Sequence, residues 1–137
     1  MITLAQELGR NQERPIRQKL AHLYTLQQIG RYSALRAKSP AQRTGAEANI
    51  AKLMMSDLLR LQREVGNEIV GAHGMLMGTD TPGRGSVQEM TLFSPGPSIY
   101  GGTDQVQRNI IGERVLGLPK EPGAPKDTPF RELLVNT

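Results

Sequence analysis

Two long amphipathic stretches constrain this chain more than any other feature. Between residues 15 and 38, Ile16, Leu20, Leu23, Leu26 and Ile29 recur at intervals of four, three, three and three. Tyr24, Tyr32 and Leu35 widen the same face, and Pro15 suits a first helical position. Between residues 46 and 70, Ile50, Leu53, Met54, Leu58, Leu61, Val65 and Ile69 keep the same period. Arg14, Arg17, Lys19, Arg31 and Arg36 fall mostly off the first stripe, and Asp57, Arg60 and Glu64 mostly off the second. A helix with one apolar stripe must bury it against a neighbour. The break "KSPAQRTG", with Ser39, Pro40 and Gly45, is short enough to make the two helices an antiparallel pair.

The remaining segments are shorter. Residues 2–9 read as a short helix ending at Gly9, and residues 71–86, "GAHGMLMGTDTPGRGS", as a glycine-rich loop long enough to carry function. A short helix is expected over 86–93. A further one is expected over 103–116, with Val106, Ile110, Ile111 and Val115 on its apolar face. Beyond Leu118, "PKEPGAPKDTPF" is too rich in proline to pack alone, so 1–119 reads as the folded unit and 120–137 as a tail. The fold class is all-α. The apolar faces are broad for so few helices, which predicts dimers or larger assemblies.

Composition removes whole classes of chemistry. The 137 residues contain no Cys, which excludes disulfides, thiol nucleophiles and Cys-ligated zinc. His22 and His73 are too few for most metal or histidine-based hydrolase sites. With two Phe, three Tyr and no Trp, the core must be aliphatic, and the six Met fit gap-filling roles. The net charge of +4 permits attraction to phosphates. The basic residues are scattered and not interleaved with aromatics, so nucleic acid is not the expected partner. No stretch approaches the roughly 20 apolar residues of a membrane span. "MITLAQELGR" has neither the basic start nor the apolar run of a signal peptide, and a cytoplasmic setting is expected.

The stretch "SIYGGTDQVQRNIIGERVLGLP", residues 98–119, sets two glycines against the start of a strong helix. Gly101 and Gly102 can take positive φ and permit close approach. Thr103 is a good N-cap, and Asp104 suits the positive end of the helix dipole. The exposed N–H groups of such a terminus can receive an anion or a polar cofactor, or the turn can simply start a helix. Asp104 and Glu68 are the acids nearest the glycine-rich segments; first-turn and solvated helix-end roles suit them as well as acid–base work. His73, among glycines, suits hydrogen bonding better than general-base duty. These features describe a helical module that binds something anionic, without revealing a reaction.

The same stretch resembles the end of acyl-CoA dehydrogenases, where a Tyr-Glu-Gly-Thr turn leads into a helix containing Ile-Gln-Arg-Xaa-Ile-Ile. "ANIAKLMMSDLLRLQREVGNEIVGAHGMLMG" is similar to the family's Ser-Ile-Ala-Lys helix and its glycine-rich loop, and "PIRQKLAHLYTLQQIGRYSALRA" to the helix before it. The resemblance covers roughly residues 14–119, in order. It implies a C-terminal four-helix-bundle domain of a flavoenzyme, one that binds FAD, oxidises an acyl-CoA to a 2-enoyl-CoA and passes electrons to a separate acceptor. It further implies a homo- or hetero-oligomer, dimer or tetramer, with FAD across a subunit interface. By that likeness Thr103 and Gln105 contact FAD, Gly71 and Gly74 approach the cofactor of a neighbouring subunit, and Tyr100 and Gly102 line the acyl thioester site.

Three departures qualify the likeness. The family's catalytic base position is Gly101 here, and a glycine cannot take a proton. Some branches, including the isovaleryl- and long-chain enzymes, carry the base on an earlier helix. The Arg-Xaa-Xaa-Phe-Gly segment, whose Arg helps bind FAD, has no counterpart in "GRNQERPI", and the Gln-Ile-Leu-Gly-Gly-Xaa-Gly loop reads "EIVGAHG", residues 68–74. By the same likeness, residues 1–9 are expected to correspond to the back half of the bundle's first helix, truncated at its N-terminus. The expectation is a chain without catalytic residues of its own, inactive alone. The alternative is a non-catalytic helical partner that completes an FAD site or an oligomer interface.

Overall fold

Both long stripes fold as helices. A computed structural model describes residues 1–42, 44–120, 122–124 and 127–133. Its helices are α1 (Ile2–Glu7), α2 (Arg14–Ala37), α3 (Glu47–Val70), α4 (Ser86–Phe93) and α5 (Asp104–Arg114). The described residues contain no strand. Short 3-10 turns at Arg10–Gln12, Pro40–Gln42, Gly71–Met75, Pro82–Gly85, Gly96–Ser98 and Phe130–Glu132 fill the connections. The 71–86 loop is therefore partly ordered into tight turns. The expected tail lies partly outside the described residues, and its described positions are mostly exposed.

Local chemistry sets the helix ends. Gly9, at φ 68°, turns the chain from α1 toward α2, and Pro15 sits in the first turn of α2. Glu47 starts α3 by accepting from the Gly45 N–H at 3.0 Å and the Thr44 hydroxyl at 3.0 Å. A carboxylate there also suits the helix dipole. Gly71 ends α3 with φ 53° and ψ −127°, a conformation that disfavours any side chain. Arg10 completes this end. Its guanidinium, held by Glu13 at 2.6 and 2.8 Å, donates to the Glu68 carbonyl and, at 3.3 Å, to the Ile69 carbonyl. A cation on the last carbonyls of a helix satisfies acceptors that have no helical partner.

The core sits at one end of the α2–α3 hairpin. Ile16, Leu20 and Leu23 of α2 meet Val65, Ile69 and Val70 of α3, with Leu4 and Ala5 of α1 and Val87 of α4 closing over them. Gly66 is the small residue that admits α4: a Cβ there would lie 3.0 to 3.2 Å from Met1, Val87 and Met90. At the other end of the hairpin the two stripes are left partly uncovered within this chain. Ile29, Tyr32, Leu35 and Ile50 are about half exposed. Between the helices an open apolar groove of about 970 Å³ is lined by Leu26, Ala34, Ile50, Met54 and Met55 among others. Periodicity marks which face is apolar; whether something lies over that face depends on the other elements, and α1 and α4 reach only one end.

Candidate functional site

The second long helix has two working faces. Its apolar stripe meets α2. On another face Asn49, Lys52, Ser56, Arg60, Arg63 and Asn67, spaced three or four apart, form a polar seam. The chain from α4 to α5 runs back along this seam, one rung after another. Asn67 Nδ2 donates to Thr91 Oγ1 at 2.8 Å, and Arg63 Nη1 to the Oγ of the fully buried Ser94 at 3.3 Å. Arg60 donates to Ser98 Oγ, and Asn49 Nδ2 to Gln107 Oε1 at 2.6 Å.

Asp104 is the central rung. It is only 5 % exposed. Lys52 Nζ approaches Oδ1 at 2.9 Å, Ser56 Oγ donates to the same oxygen at 2.8 Å, and Arg60 Nη1 reaches Oδ2 at 3.0 Å. The Lys52 ammonium first, then Ser56 and Arg60, hold the Asp104 carboxyl well below the usual carboxylate range, against the opposing effect of burial. The first-turn reading of Asp104 stands, since it opens α5. Its larger role, as the ion that joins α5 to α3, was not foreseen, and Arg60, off the apolar stripe, takes part in it. An acid with both oxygens engaged by cations is a poor general base. Glu68, the other acid considered, is engaged by Lys19 near the opposite end of α3, where Lys19 also pairs with Glu64 at 3.0 Å.

The turn before α5 is shaped by glycine. Gly101 and Gly102 have φ of 65° and 86°. Thr103 caps α5, its Oγ1 accepting from Val106 N–H at 3.2 Å. A Cβ on Gly101 would meet nothing within 4 Å, so this residue faces open space. A Cβ on Gly102 would lie 2.8 Å from Gln107 Nε2. Gly102→Ala is therefore expected to destabilise the chain by about 2 kcal/mol, from left-handed strain and displacement of Gln107. Gly101→Ala meets the strain alone and should lose about 1 kcal/mol; equal losses in thermal denaturation would contradict this difference. The N–H groups of Gly101 and Gly102 make no hydrogen bond among the described residues. Tyr100 is half exposed beside them, its ring 6.3 Å from that of Phe93, with Leu92 and Ile99 exposed nearby in sequence.

Tyr100, Gly101, Gly102, Thr103 and Gln105 thus share one turn, with Gln105 exposed. Gly71 and Gly74 lie elsewhere, past the C-terminal end of α3. At 1.5 Å per residue, Lys52 and Gly71 are roughly 28 Å apart along the helix axis. One chain does not bring the two sets together. Each of those glycines also has an internal reason: Gly71 has positive φ, and a Cβ on Gly74 would crowd Asn67 Oδ1 at 3.1 Å. Gln88 ties this turn to α4 by donating to the His73 carbonyl at 3.0 Å. His73 itself is exposed, and no metal-holding group of His, Cys, Asp and Glu exists among the described residues. The sequence reading missed Asn49, Lys52, Ser56 and Gln107. The three-and-four spacing of Asn49, Lys52 and Ser56 on α3 was a readable signal, whereas Gln107 lies on α5 and meets them only in the fold.

The pattern of "Acyl-CoA dehydrogenase, C-terminal domain" matches residues 5–116. The chain belongs to the acyl-CoA dehydrogenase family, in which it corresponds to the C-terminal helical domain. It is 32 % identical over 122 residues to acyl-CoA dehydrogenase IpdE1 of Mycobacterium tuberculosis, covering 88 % of this chain and 31 % of that protein. Against acyl-CoA dehydrogenase IpdE1 of Mycolicibacterium smegmatis the identity is 34 %, covering 88 % and 30 %. The chain thus spans about a third of the length of the relatives it matches. The solved structure of the Tcur3481-Tcur3483 steroid ACAD superposes with a TM-score of 0.73 at 23 % identity, over 88 % of this chain and 33 % of that one. That likeness supports the all-helical fold.

Proposed function

We propose that this chain is the C-terminal helical part of an FAD-dependent acyl-CoA dehydrogenase that introduces an α,β double bond into an acyl-CoA thioester, and that it is inactive alone. The observation that carries the reading is the turn at 100–105. It presents unpaired N–H groups and the N-terminus of α5 beside an exposed apolar surface that includes Tyr100. Such a surface suits a ligand with both polar oxygens and an apolar part. Thr103 and Gln105 would hold the cofactor, and Tyr100 and Gly102 would border the acyl group. When bound, FAD supplies the hydride acceptor. The separation of Gly71 and Gly74 from this turn suits contacts to a cofactor held mainly by a neighbouring subunit.

The chain's own residues bind and orient; none at the turn can take the α-proton. Gly101 has no side chain, and Asp104 is locked between cations. The base would come from outside this stretch, and electrons would leave to a separate acceptor. A steroid-bearing or similarly bulky acyl group is in keeping with the steroid ACAD that shares the fold. The glycine at the base position also favours a second reading, in which the chain is a non-catalytic partner completing an FAD site in a hetero-oligomer. A cytoplasmic setting belongs to either reading. The test is titration of FAD into the isotopically labelled chain, followed by amide NMR. Shifts are expected at Gly101–Gln105 and at Gly71–Met75. No shift at either segment would overturn the cofactor reading. Turnover of an acyl-CoA by the chain alone, with an artificial electron acceptor, would overturn its inactivity.

A further inference from the structure

We infer that the exposed face of α2 is a docking surface for an acidic amphipathic helix of another polypeptide. Arg17, Ala21, Tyr24, Gln28, Arg31 and Leu35 recur at alternating intervals of four and three, the period of a seam between packed helices. Arg14 and Lys38 continue the row at either end. Gln28 is half-buried and the others are exposed, whereas Ile16, Leu20 and Leu23, on a different face of the same helix, enter the core. Tyr24 is 56 % exposed, Leu35 51 % and Tyr32, beside Arg31, 62 %. Three large side chains with apolar bodies thus stand in water along one helix.

The charge of this face has one sign. Residues 14–46 contain seven Lys and Arg, and the chain's thirteen acids all lie elsewhere. Lys19 is satisfied by Glu64 and Glu68, but Arg14, Arg17, Arg31 and Lys38 make no ion pair among the described residues. Arg31 lies instead 5.9 Å from the centre of the Tyr32 ring. The cations of the row stand at its two ends, and residues 20–30 between them include no Asp, Glu, Lys or Arg. Arg17 and Arg31 are roughly 21 Å apart along the helix axis. A neutral centre holding an exposed aromatic, with charges at the rim, is the anatomy of a protein interface, where Tyr and Arg carry much of the energy. A nucleic acid would be tracked by cations along the whole row.

Two copies of this chain do not suit one another here. Parallel pairing sets each arginine against itself, and antiparallel pairing about Tyr24 sets Arg17 against Arg31; like charges facing across an interface oppose binding. The occupant that fits is a helix with carboxylates two heptads apart and apolar residues between them. Each carboxylate then receives one guanidinium in a two-bond pair, and the apolar residues cover Tyr24 and Leu35. None of this depends on the cofactor, and such a helix would be the companion that the hetero-oligomeric reading calls for.

The test uses the whole chain, labelled with ¹⁵N, and a synthetic amphipathic helical peptide with two Glu, two heptads apart, flanking an apolar seam. At low salt, amide shifts are expected at Arg17, Tyr24, Arg31 and Leu35. Tyr24→Ala should weaken binding by about tenfold or more, and the double substitution Arg17→Glu, Arg31→Glu should abolish it. That double variant should instead bind the peptide in which Lys replaces both Glu, which the parent chain should reject. Tm is expected to be unchanged in all variants, since the three side chains are exposed. Binding of neither peptide, or equal binding of both, by the parent chain would overturn the inference. So would shifts confined to Leu26, Ile50 and Met54, which would put the helix in the open groove. Tighter binding of duplex DNA than of the acidic peptide, through the same arginines, would make the face a nucleic-acid surface and overturn it equally.

Discussion

Asp104→Asn is expected to lower stability by about 3 kcal/mol, the scale of removing one partner from a buried ion pair. The change is nearly isosteric, so the loss is electrostatic. Lys52, with its side chain 12 % exposed, would keep its charge and lose its counter-ion. Arg60 would retain Asp57 and Ser98, which limits the damage on that side. A fall in Tm of roughly 10 °C corresponds to this loss in a domain of this size. The pH dependence carries a definite sign. Because the folded state holds Asp104 below its ordinary value, its contribution is complete above the unfolded pKa of about 4 and declines as pH falls from there toward the folded pKa. The gap between the parent chain and the variant should accordingly be constant from pH 7 to 5 and narrow below about pH 4. A gap independent of pH down to 2 would mean that the ion cluster does not hold α5 in place.

Ile69→Ala is expected to have an effect of similar size, about 3 kcal/mol, for a different reason. Ile69 is 1 % exposed, at the place where α1, α2 and α4 all close over α3. Removing its buried carbons forfeits their transfer free energy and leaves a cavity that three helices cannot easily collapse. Leu26→Ala, the same kind of truncation on the wall of the open groove, should lose under about 1 kcal/mol, because little surrounds the deleted atoms. Urea denaturation of the two variants measures the contrast. Equal losses would mean that the groove end is covered in solution, most simply by assembly.

Much of this was legible from residue spacing. The apolar period placed α2 and α3 within a residue of their ends, and "YGGTDQVQ" marked both the turn and the cap on α5. The exposed residues of the site could be picked from the sequence because they are neighbours in it: Tyr100, Gly101, Gly102, Thr103 and Gln105. The supporting residues could not. Asn49 and Gln107, or Lys52 and Asp104, are more than fifty positions apart and meet only when α5 docks. Nothing in a helical period tells a polar face turned to water from a polar face turned to another polar segment. Arg10 shows the same limit: its sequence neighbourhood names a cation, but only the return of α3 to the start of α2 gives it the carbonyls of Glu68 and Ile69.

The sequence by itself determined the helices, the glycine turn, the absence of cysteine and, through its motifs, the family. Those are consequences of local propensity and of side-chain chemistry at short range. Tertiary structure decided which half of each apolar stripe is buried, that the first-turn acid Asp104 is also a buried counter-ion, and that the Gly101 carbonyl accepts from Gln107. These depend on where the ends of α3 fall against α1, α4 and α5, and the free energy of each comes from groups brought together across the chain.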